Sequence, residues 1–281
     1  MSFKQELTKD LKEYIKDREF MSATGISRRA ELEFLAQGEY NINYLIEDEE
    51  EKYVLRLNLG SQMDLDDQIG YEFSALKALA PSGVTPRPFY LDNSREKLDY
   101  GLLMMEYLPG RHLDYQKDLK AAAKVFARIH KLDVESADRL IREEKPLTAI
   151  WNECDSLLAE YFDSELADPE IKDFLRRMKA DLAEKKEREA ELMDLFPLAL
   201  VNTEVNSNNF LINDQFNLAY LVDWEKPLVT SPLQDLSHFM VPTTTLWKTN
   251  FIFNQGEEEE FLHHYLKERG MDSQYHEVKD A

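Results

Sequence analysis

The stretch "NINYLIEDEEEKYVLRLN", residues 41 to 58, leaves the backbone little local choice. Ile42, Tyr44 and Ile46 alternate with polar residues, and Val54 lies in opposite phase to Arg56. A period of two sends successive side chains to opposite faces, as a half-buried strand requires. The run "EDEEEK" between the two halves is a charged tip that stays wet because like charges repel. The segment therefore predicts a β-hairpin, with Gly38 in the turn before its first strand. Upstream, "ELEFLAQ" supplies another strand, and "KQELTKDLKEYIKD" carries apolar residues at helical spacing.

Past residue 68 the period changes. Ile69, Phe73, Leu76 and Leu79 share one helix face, and Pro81 with Gly83 ends that helix. "PRPFYLD" and "YGLLMMEYLPG" read as two more strands. The order strand, strand, strand, helix, strand, strand describes a small α+β unit that ends near Pro109 and Gly110, a natural linker. Residues 1–108 are thus read as one lobe and 109–281 as a second, mainly helical one. In the second lobe Leu119, Ala122, Phe126 and Ile129 fall on one side of a helix. Asp168 is an N-cap with Pro169 at the first helical position, followed by an apolar stripe of Ile171, Phe174, Leu175, Met178 and Leu182. "PLQDLSHFM" and "GEEEEFLHHYLKERG" are further helices; the latter has acids in its first turn and Lys267 and Arg269 in its last, matching the helix dipole. Between these helices "LVNTEVNSNNFLI" and "LAYLVDWEKP" read as strand, loop, strand, turn, strand.

Composition excludes several classes. A net charge of -21 repels nucleic-acid phosphates and anionic membranes, and favours a cationic small molecule as partner. There is no apolar run of membrane-spanning length, and "MSFKQELTKDLKEYIKDREF" lacks the apolar core of a signal peptide. The single cysteine, Cys154, has no partner for an intrachain disulfide, so a reducing, cytoplasmic home is expected. No Cys/His cluster has metal-ligand spacing. His263 and His264 point to different helix faces. Trp151, Trp224 and Trp247 read first as core residues; Trp247 is the best candidate of the three for an acceptor pocket, where a ring face could meet a cation.

The loop pair carries chemistry. Phosphoryl transfer needs a cradle and a cation for the phosphates, one or two Mg²⁺ ions, and a carboxylate near the acceptor hydroxyl. Mg²⁺ takes few protein ligands, mostly carboxylate oxygens. "LVNTEVNSNNFLI" followed by "LAYLVDWEKPLVTSPLQDL" resembles the core of the aminoglycoside phosphotransferase and choline kinase family, whose usual pattern is H-G-D, four residues, N, then an I/V-D-W/F-E step and a helix opening with D-L. "GEYNINYLI", "KYVLRLN" and "YEFSALKAL" are similar to that family's phosphate loop, third strand and lobe helix. The resemblance runs from about Leu32 to about Met240. It implies an α+β, two-lobed, protein-kinase-like fold whose small lobe holds a five-stranded antiparallel sheet and one helix. It also implies an enzyme using Mg²⁺ and ATP to phosphorylate a hydroxyl of an amino alcohol, an aminoglycoside or a sugar-like metabolite.

Carried over by residue, the resemblance gives Asp223 and Asn209 to the metal, and Arg56 to the nucleotide phosphates with Glu72 as its partner. Gly38 would let backbone amides approach the phosphates. Met105, Glu106, Tyr107 and Leu108 would line the adenine slot, and Asp235 would brace the catalytic loop. The base position holds Glu204 where the family has Asp, and Asn202-Thr203 precede it in place of His-Gly. Glu reaches about one methylene further, roughly 1.5 Å, and a misplacement of about 1 Å can cost a hundredfold in rate. Each residue also has a plainer reading: Asp223 as a turn acid, Asn209 as one loop Asn of several, Arg56 as a surface ion-pair partner, Gly38 as a hairpin glycine. The altered triplet keeps a second function open, a nucleotide-binding pseudokinase acting as a scaffold or regulator.

Overall fold

The structure, a computed structural model, describes residues 3–280. The small lobe runs α1 (Phe3–Tyr14), α2 (Arg18–Thr24), β1 (Glu31–Gln37), β2 (Asn41–Asp48), β3 (Glu51–Asn58), α3 (Gln68–Leu79), β4 (Pro88–Asp92) and β5 (Gly101–Glu106). Its strands form one antiparallel five-stranded sheet in the order β1-β2-β3-β5-β4. The hairpin expected over 41–58 is present, with Ile42 opposite Leu57 and Tyr44 opposite Leu55.

Both faces of this sheet are covered, which is why the inner part of β3 is continuously buried although its sequence alternates, and why β5 is an unbroken apolar run. Leu55, Leu57, Leu102 and Met104 pack with Leu7, Leu11 and Phe20 of the first two helices. Val54, Leu103 and Met105 face the other way and share a core with Ile69 and Leu76 of α3 and with the larger lobe. Arg56 is on this second face, in phase with Val54 rather than in the opposite phase expected, because residues two apart on a strand share a face. The sheet thus delivers a cation to the junction of the lobes.

The larger lobe contains β6 (Arg111–His112), α4 (Leu119–Ile129), α5 (Pro146–Asp163), α6 (Pro169–Lys186), α7 (Glu189–Asp194), β7 (Ala199–Val201), β8 (Phe210–Asn213), β9 (Leu218–Leu221), β10 (Leu228–Thr230), α8 (Leu233–Met240), α9 (Pro242–Lys248), α10 (Gln255–Arg269) and α11 (Tyr275–Asp280). β7 pairs with β10, and β6, β8 and β9 form a second small sheet. Phe126, Phe210, Phe239 and Phe261 are fully buried beneath them, with Phe239 and Phe261 stacked at 4.9 Å. Each such ring contributes roughly 1.5–3 kcal/mol on burial. The chain crosses between lobes at residues 107–110. There a Cβ on Gly110 would lie 3.0 Å from the backbone N and O of Ile212, so the close approach of two backbones requires glycine.

Two expectations change. Asp168 does cap α6, accepting from Glu170 and Ile171 amides, but the apolar stripe that follows is not core. Ile171, Phe174 and Met178 are 49%, 52% and 52% exposed, and no residue of α6 is buried, because α6 packs chiefly on α5. Trp247 is 72% exposed on α9, and Trp224 is fully buried with its indole N–H on the carbonyl of Leu221. The tryptophans therefore form no shared cage. Among the described residues no helix is long and apolar enough to cross a membrane.

Candidate active site

Arg56 sits mid-strand in β3, 5% exposed. Its Nη1 donates to Glu72 Oε1 at 2.5 Å and to Asp223 Oδ1 at 3.0 Å, while Nε donates to Asn43 Oδ1 at 3.0 Å. Helix α3 supplies Glu72: Asp67 caps its start by accepting from the Gly70 amide at 3.0 Å, and the first turns then face the lobe junction. Burial disfavours the charge on Arg56, yet Glu72, Asp223 and Glu225 together hold its pKa above the ordinary value. Burial pushes Glu72 up, with Arg56 pulling it back. Glu72 Oε2 is buried with no hydrogen-bond partner. The whole compensation of Glu72 therefore rests on Arg56. Arg56→Ala is expected to cost about 3–5 kcal/mol of unfolding free energy, because it strands a buried carboxylate. Denaturant unfolding checks this: Arg56→Ala with Glu72→Ala should be more stable than Arg56→Ala alone.

Strand β7 carries the chain into the loop at 202. Asn202 is fully buried. Asp235, from the first turn of α8, accepts from the backbone amides of Asn202 and Thr203, both at 2.9 Å. His130 stands behind it, with Nε2 3.4 Å from Asp235 and Nδ1 3.0 Å from the Tyr265 hydroxyl. Burial pulls this histidine's pKa down. Asp235 is thus a brace for backbone, as the resemblance implied, and is itself fully buried. Thr203 adopts a left-handed φ of 69°, and its hydroxyl donates to the Lys226 carbonyl at 2.8 Å.

Asn202 then ties the two acidic segments together. Its Oδ1 accepts from the Glu204 amide at 3.1 Å and its Nδ2 donates to the Asp223 carbonyl at 2.8 Å. Asn209 Nδ2 donates to the Glu204 carbonyl at 2.7 Å, and the Val222 amide donates to the Asn209 carbonyl at 2.8 Å. Glu204, Asn209 and Asp223, all within residues 204–223, are tied together by these side-chain-to-backbone and backbone bonds. Asp223 holds a left-handed φ of 64°, a conformation that costs about 1–2 kcal/mol for an ordinary residue. With Oδ1 on Arg56, its Oδ2 has no partner among the described residues, and its side chain is 34% exposed. Asn209 commits its Nδ2 to the loop, and its Oδ1 has no hydrogen bond among the described residues.

Three further residues belong to the site. Lys226 Nζ lies 2.7 Å from Glu204 Oε1. Glu225 accepts from Asn41 Nδ2, and its carboxyl is pushed up to about 7, by burial first and then by Asp223, with Arg56 opposing. Gln68 Nε2 donates to the Glu225 carbonyl at 2.6 Å. The signal for the first two was the "EK" that follows Asp223-Trp224: two charged residues in a turn enclosed by buried strands.

The remaining expected residues are placed as follows. Gly38 closes the β1–β2 turn, its amide donating to the Asn41 carbonyl at 2.9 Å. Met105 and Leu108 are buried and Tyr107 is half-buried. The Glu106 carboxylate is bound by Arg87 at the sheet edge, with Nε at 3.1 Å. Among the described residues no three His, Cys, Asp or Glu side chains form a ready metal cage. The donor set present, one carboxylate oxygen of Asp223 and the amide oxygen of Asn209, would suit Mg²⁺, which keeps waters and phosphate oxygens as its other ligands.

Comparison with known proteins places the fold. No curated protein matches the sequence. Among solved structures, the chain is similar to an aminoglycoside phosphotransferase homologue from Ralstonia eutropha JMP134, with a TM-score of 0.65 and 13% identity over 94% of this chain and 80% of that one. It is also similar to a choline kinase from Cryptosporidium parvum Iowa II, with a TM-score of 0.64 and 15% identity over 96% and 84% of the two chains. A third similar structure is an ethanolamine kinase from Plasmodium vivax, with a TM-score of 0.63 and 15% identity over 95% and 75%. At such identities these likenesses carry the fold, a two-lobed kinase-like one. The sequence model of the phosphotransferase enzyme family matches residues 31–279, nearly the whole chain. The protein belongs to that phosphotransferase family.

Proposed function

We propose that this phosphotransferase moves the γ-phosphate of ATP to a hydroxyl of a small amino alcohol, aminoglycoside or sugar-like metabolite. The observation that carries the reading is the Arg56 guanidinium, held between Glu72 and Asp223, with Glu204 fixed to the same turn through Asn202 and Asn209. A buried cation of this kind positions phosphate oxygens at any working pH. Asp223 Oδ2 and Asn209 Oδ1 are the oxygens for Mg²⁺. Bound there, the ion would neutralise charge building on the phosphates. Glu204 orients the acceptor hydroxyl and takes its proton. Lys226, beside Glu204, holds that carboxylate in place. Met105 to Leu108 form the wall for the base at the lobe junction. The net charge of -21 favours a cationic acceptor, since such a field raises the local concentration of cations.

The experiment is an acceptor screen: protein, Mg·ATP and a pool of amino alcohols, aminoglycosides and sugars, read by mass spectrometry for a gain of one phosphoryl group. Absence of any phosphorylated product from a broad pool would sink the reading.

Gly38 offers a separate check. Its φ is not in the left-handed region, and a Cβ there would meet nothing closer than the Asn41 carbonyl oxygen at 3.9 Å. Neither backbone conformation nor packing asks for glycine, which leaves approach by a ligand as the reason. Gly38→Val is expected to weaken Mg·ATP binding about tenfold, roughly 1.4 kcal/mol, without lowering the unfolding midpoint. Calorimetric titration alongside thermal melting separates the two effects.

A further inference from the structure

The turn that carries Asp223 is strapped to the small lobe by four side chains. Arg56 reaches the Asp223 carboxylate, Gln68 the Glu225 carbonyl, and Tyr71, through its hydroxyl, the Pro227 carbonyl at 2.5 Å. Those three come from the middle of β3 and from α3. The fourth, Asn41, is different, because it is the first residue of β2 and ends the turn that begins at Gly38. Its Nδ2 donates to Glu225, across 184 positions of sequence.

We infer that Asn41 and Glu225 form a clasp that holds the β1–β2 turn down over the Asp223 turn, and that this clasp sets nucleotide affinity. The inference rests on the phosphate site proposed above.

Three observations support it. The orientation of the Asn41 amide is fixed by its neighbours: Asn58 Nδ2 donates to Asn41 Oδ1 at 3.1 Å and to the Gly60 carbonyl at 2.7 Å, so Asn41 must turn its own N–H₂ to Glu225. Both asparagines are buried, at 4% and 7% exposure, so these bonds do not compete with bulk water. The turn itself is stiff. The Gly38 amide bonds the Asn41 carbonyl at 2.9 Å and the Leu59 amide bonds the Tyr40 carbonyl at 2.7 Å. A tie at Asn41 therefore positions residues 38–40 as one body.

Electrostatics makes the arrangement informative. Glu225 feels Asp223, Glu72 and Glu204 as repulsive neighbours, with Arg56 as the attractive one. A further carboxylate beside a triphosphate site opposes ligand binding unless it does something else. Among the described residues, the one side chain that bonds this carboxylate belongs to the turn expected to cover the phosphates. With the clasp cut, Arg56, Gln68 and Tyr71 still hold the lobes together, and the turn alone is released. The effect should appear in nucleotide binding before it appears in folding.

The geometry allows a polarity swap. In Asn41→Asp, two carboxylates face each other where a bond was. In Asn41→Asp with Glu225→Gln, the glutamine N–H₂ donates to the aspartate, Asn58 keeps its acceptor, and the net charge equals that of the wild type. We expect Mg·ADP affinity, measured by titration calorimetry, to fall about tenfold or more in Asn41→Asp and about threefold in Glu225→Gln. The double variant should return to within about threefold of wild type, a coupling typical of residues in contact. Glu39→Gln, which removes a neighbouring carboxylate outside the pair, is the control for through-space charge.

Recovery by Glu225→Gln and not by Glu39→Gln supports the clasp. Equal recovery by both, or none by Glu225→Gln, overturns it. Coupling seen in thermal unfolding but not in Mg·ADP affinity also overturns it, leaving a purely structural contact. A wild-type protein that binds no Mg·ADP would instead sink the proposed phosphate site, so the two failures are distinguishable.

Discussion

Asp223→Asn is expected to lower phosphoryl transfer about a thousandfold or more while the protein stays folded. The substitution is chosen for the backbone. Residue 223 sits at a φ of 64°, and asparagine tolerates the left-handed region better than other non-glycine residues. The amide can also keep Oδ1 toward Arg56, which places N–H₂ where the free carboxylate oxygen was. What is lost is one negative charge and one oxygen not engaged by Arg56. Arg56 retains Glu72 as partner, so stability should change by no more than about 1 kcal/mol. The readout has two arms. Turnover falls, and the strengthening of nucleotide binding by Mg²⁺ that is expected of the wild type disappears. An Asp223→Asn protein that turns over at the wild-type rate, or binds nucleotide with undiminished Mg²⁺ dependence, removes Asp223 from the metal role. Asp223→Ala is the poorer variant, because alanine in the left-handed region adds a folding cost of about 1 kcal/mol that confuses the reading.

What was legible in the sequence was whatever depended on period and neighbours. The alternation in 41–58 and the helix at 69–79 gave the small lobe, because a strand or helix face is a local property. The ion pair of Arg56 and Glu72 could be anticipated from order along the chain once the resemblance was admitted. The depth of its burial could not, since β3 reads as half-exposed and is covered on both faces only by elements from outside the hairpin. Asn41, Gln68, Glu225 and Lys226 were missed for a common reason. Each is an ordinary polar residue in its own segment, and each acquires its role from a partner supplied by tertiary contact; for the Asn41–Glu225 pair the partners are 184 positions apart. The stripe on α6 shows the converse. Ile171, Phe174 and Met178 do lie along one helix, but periodicity says only that an apolar face exists, not that something covers it. Trp247 reads as a core residue in the sequence, and its 72% exposure shows how little residue type says about burial at the surface of a helical lobe.

The Glu204 series bears most directly on catalysis, and the structure sharpens its expected order. Glutamate in place of aspartate would be harmless if the loop could retreat by the length of a methylene. The loop is pinned: the Glu204 amide is held by Asn202 Oδ1 at 3.1 Å, its carbonyl by Asn209 Nδ2 at 2.7 Å, and the two residues before it by Asp235. With the backbone fixed, the carboxylate position depends on side-chain length, and Lys226 holds it there at 2.7 Å. Glu204→Asp should therefore lose Lys226 and fall short of the acceptor, lowering kcat about a hundredfold, the scale of a 1 Å misplacement. Glu204→Gln keeps length and shape but cannot take a proton, and should lose about 10²–10⁴-fold, at or below the aspartate form. In both, Mg·ADP affinity should stay near the wild-type value, because residue 204 meets the acceptor rather than the nucleotide. The order glutamate, then aspartate, then glutamine in kcat, measured on an acceptor identified by the mass screen, supports a base at 204 fitted to its own longer side chain. A glutamine form as fast as the wild type would remove Glu204 from the chemistry. An aspartate form faster than the wild type would mean that the natural protein holds its base out of position, as a nucleotide-binding scaffold could do without penalty and an enzyme could not.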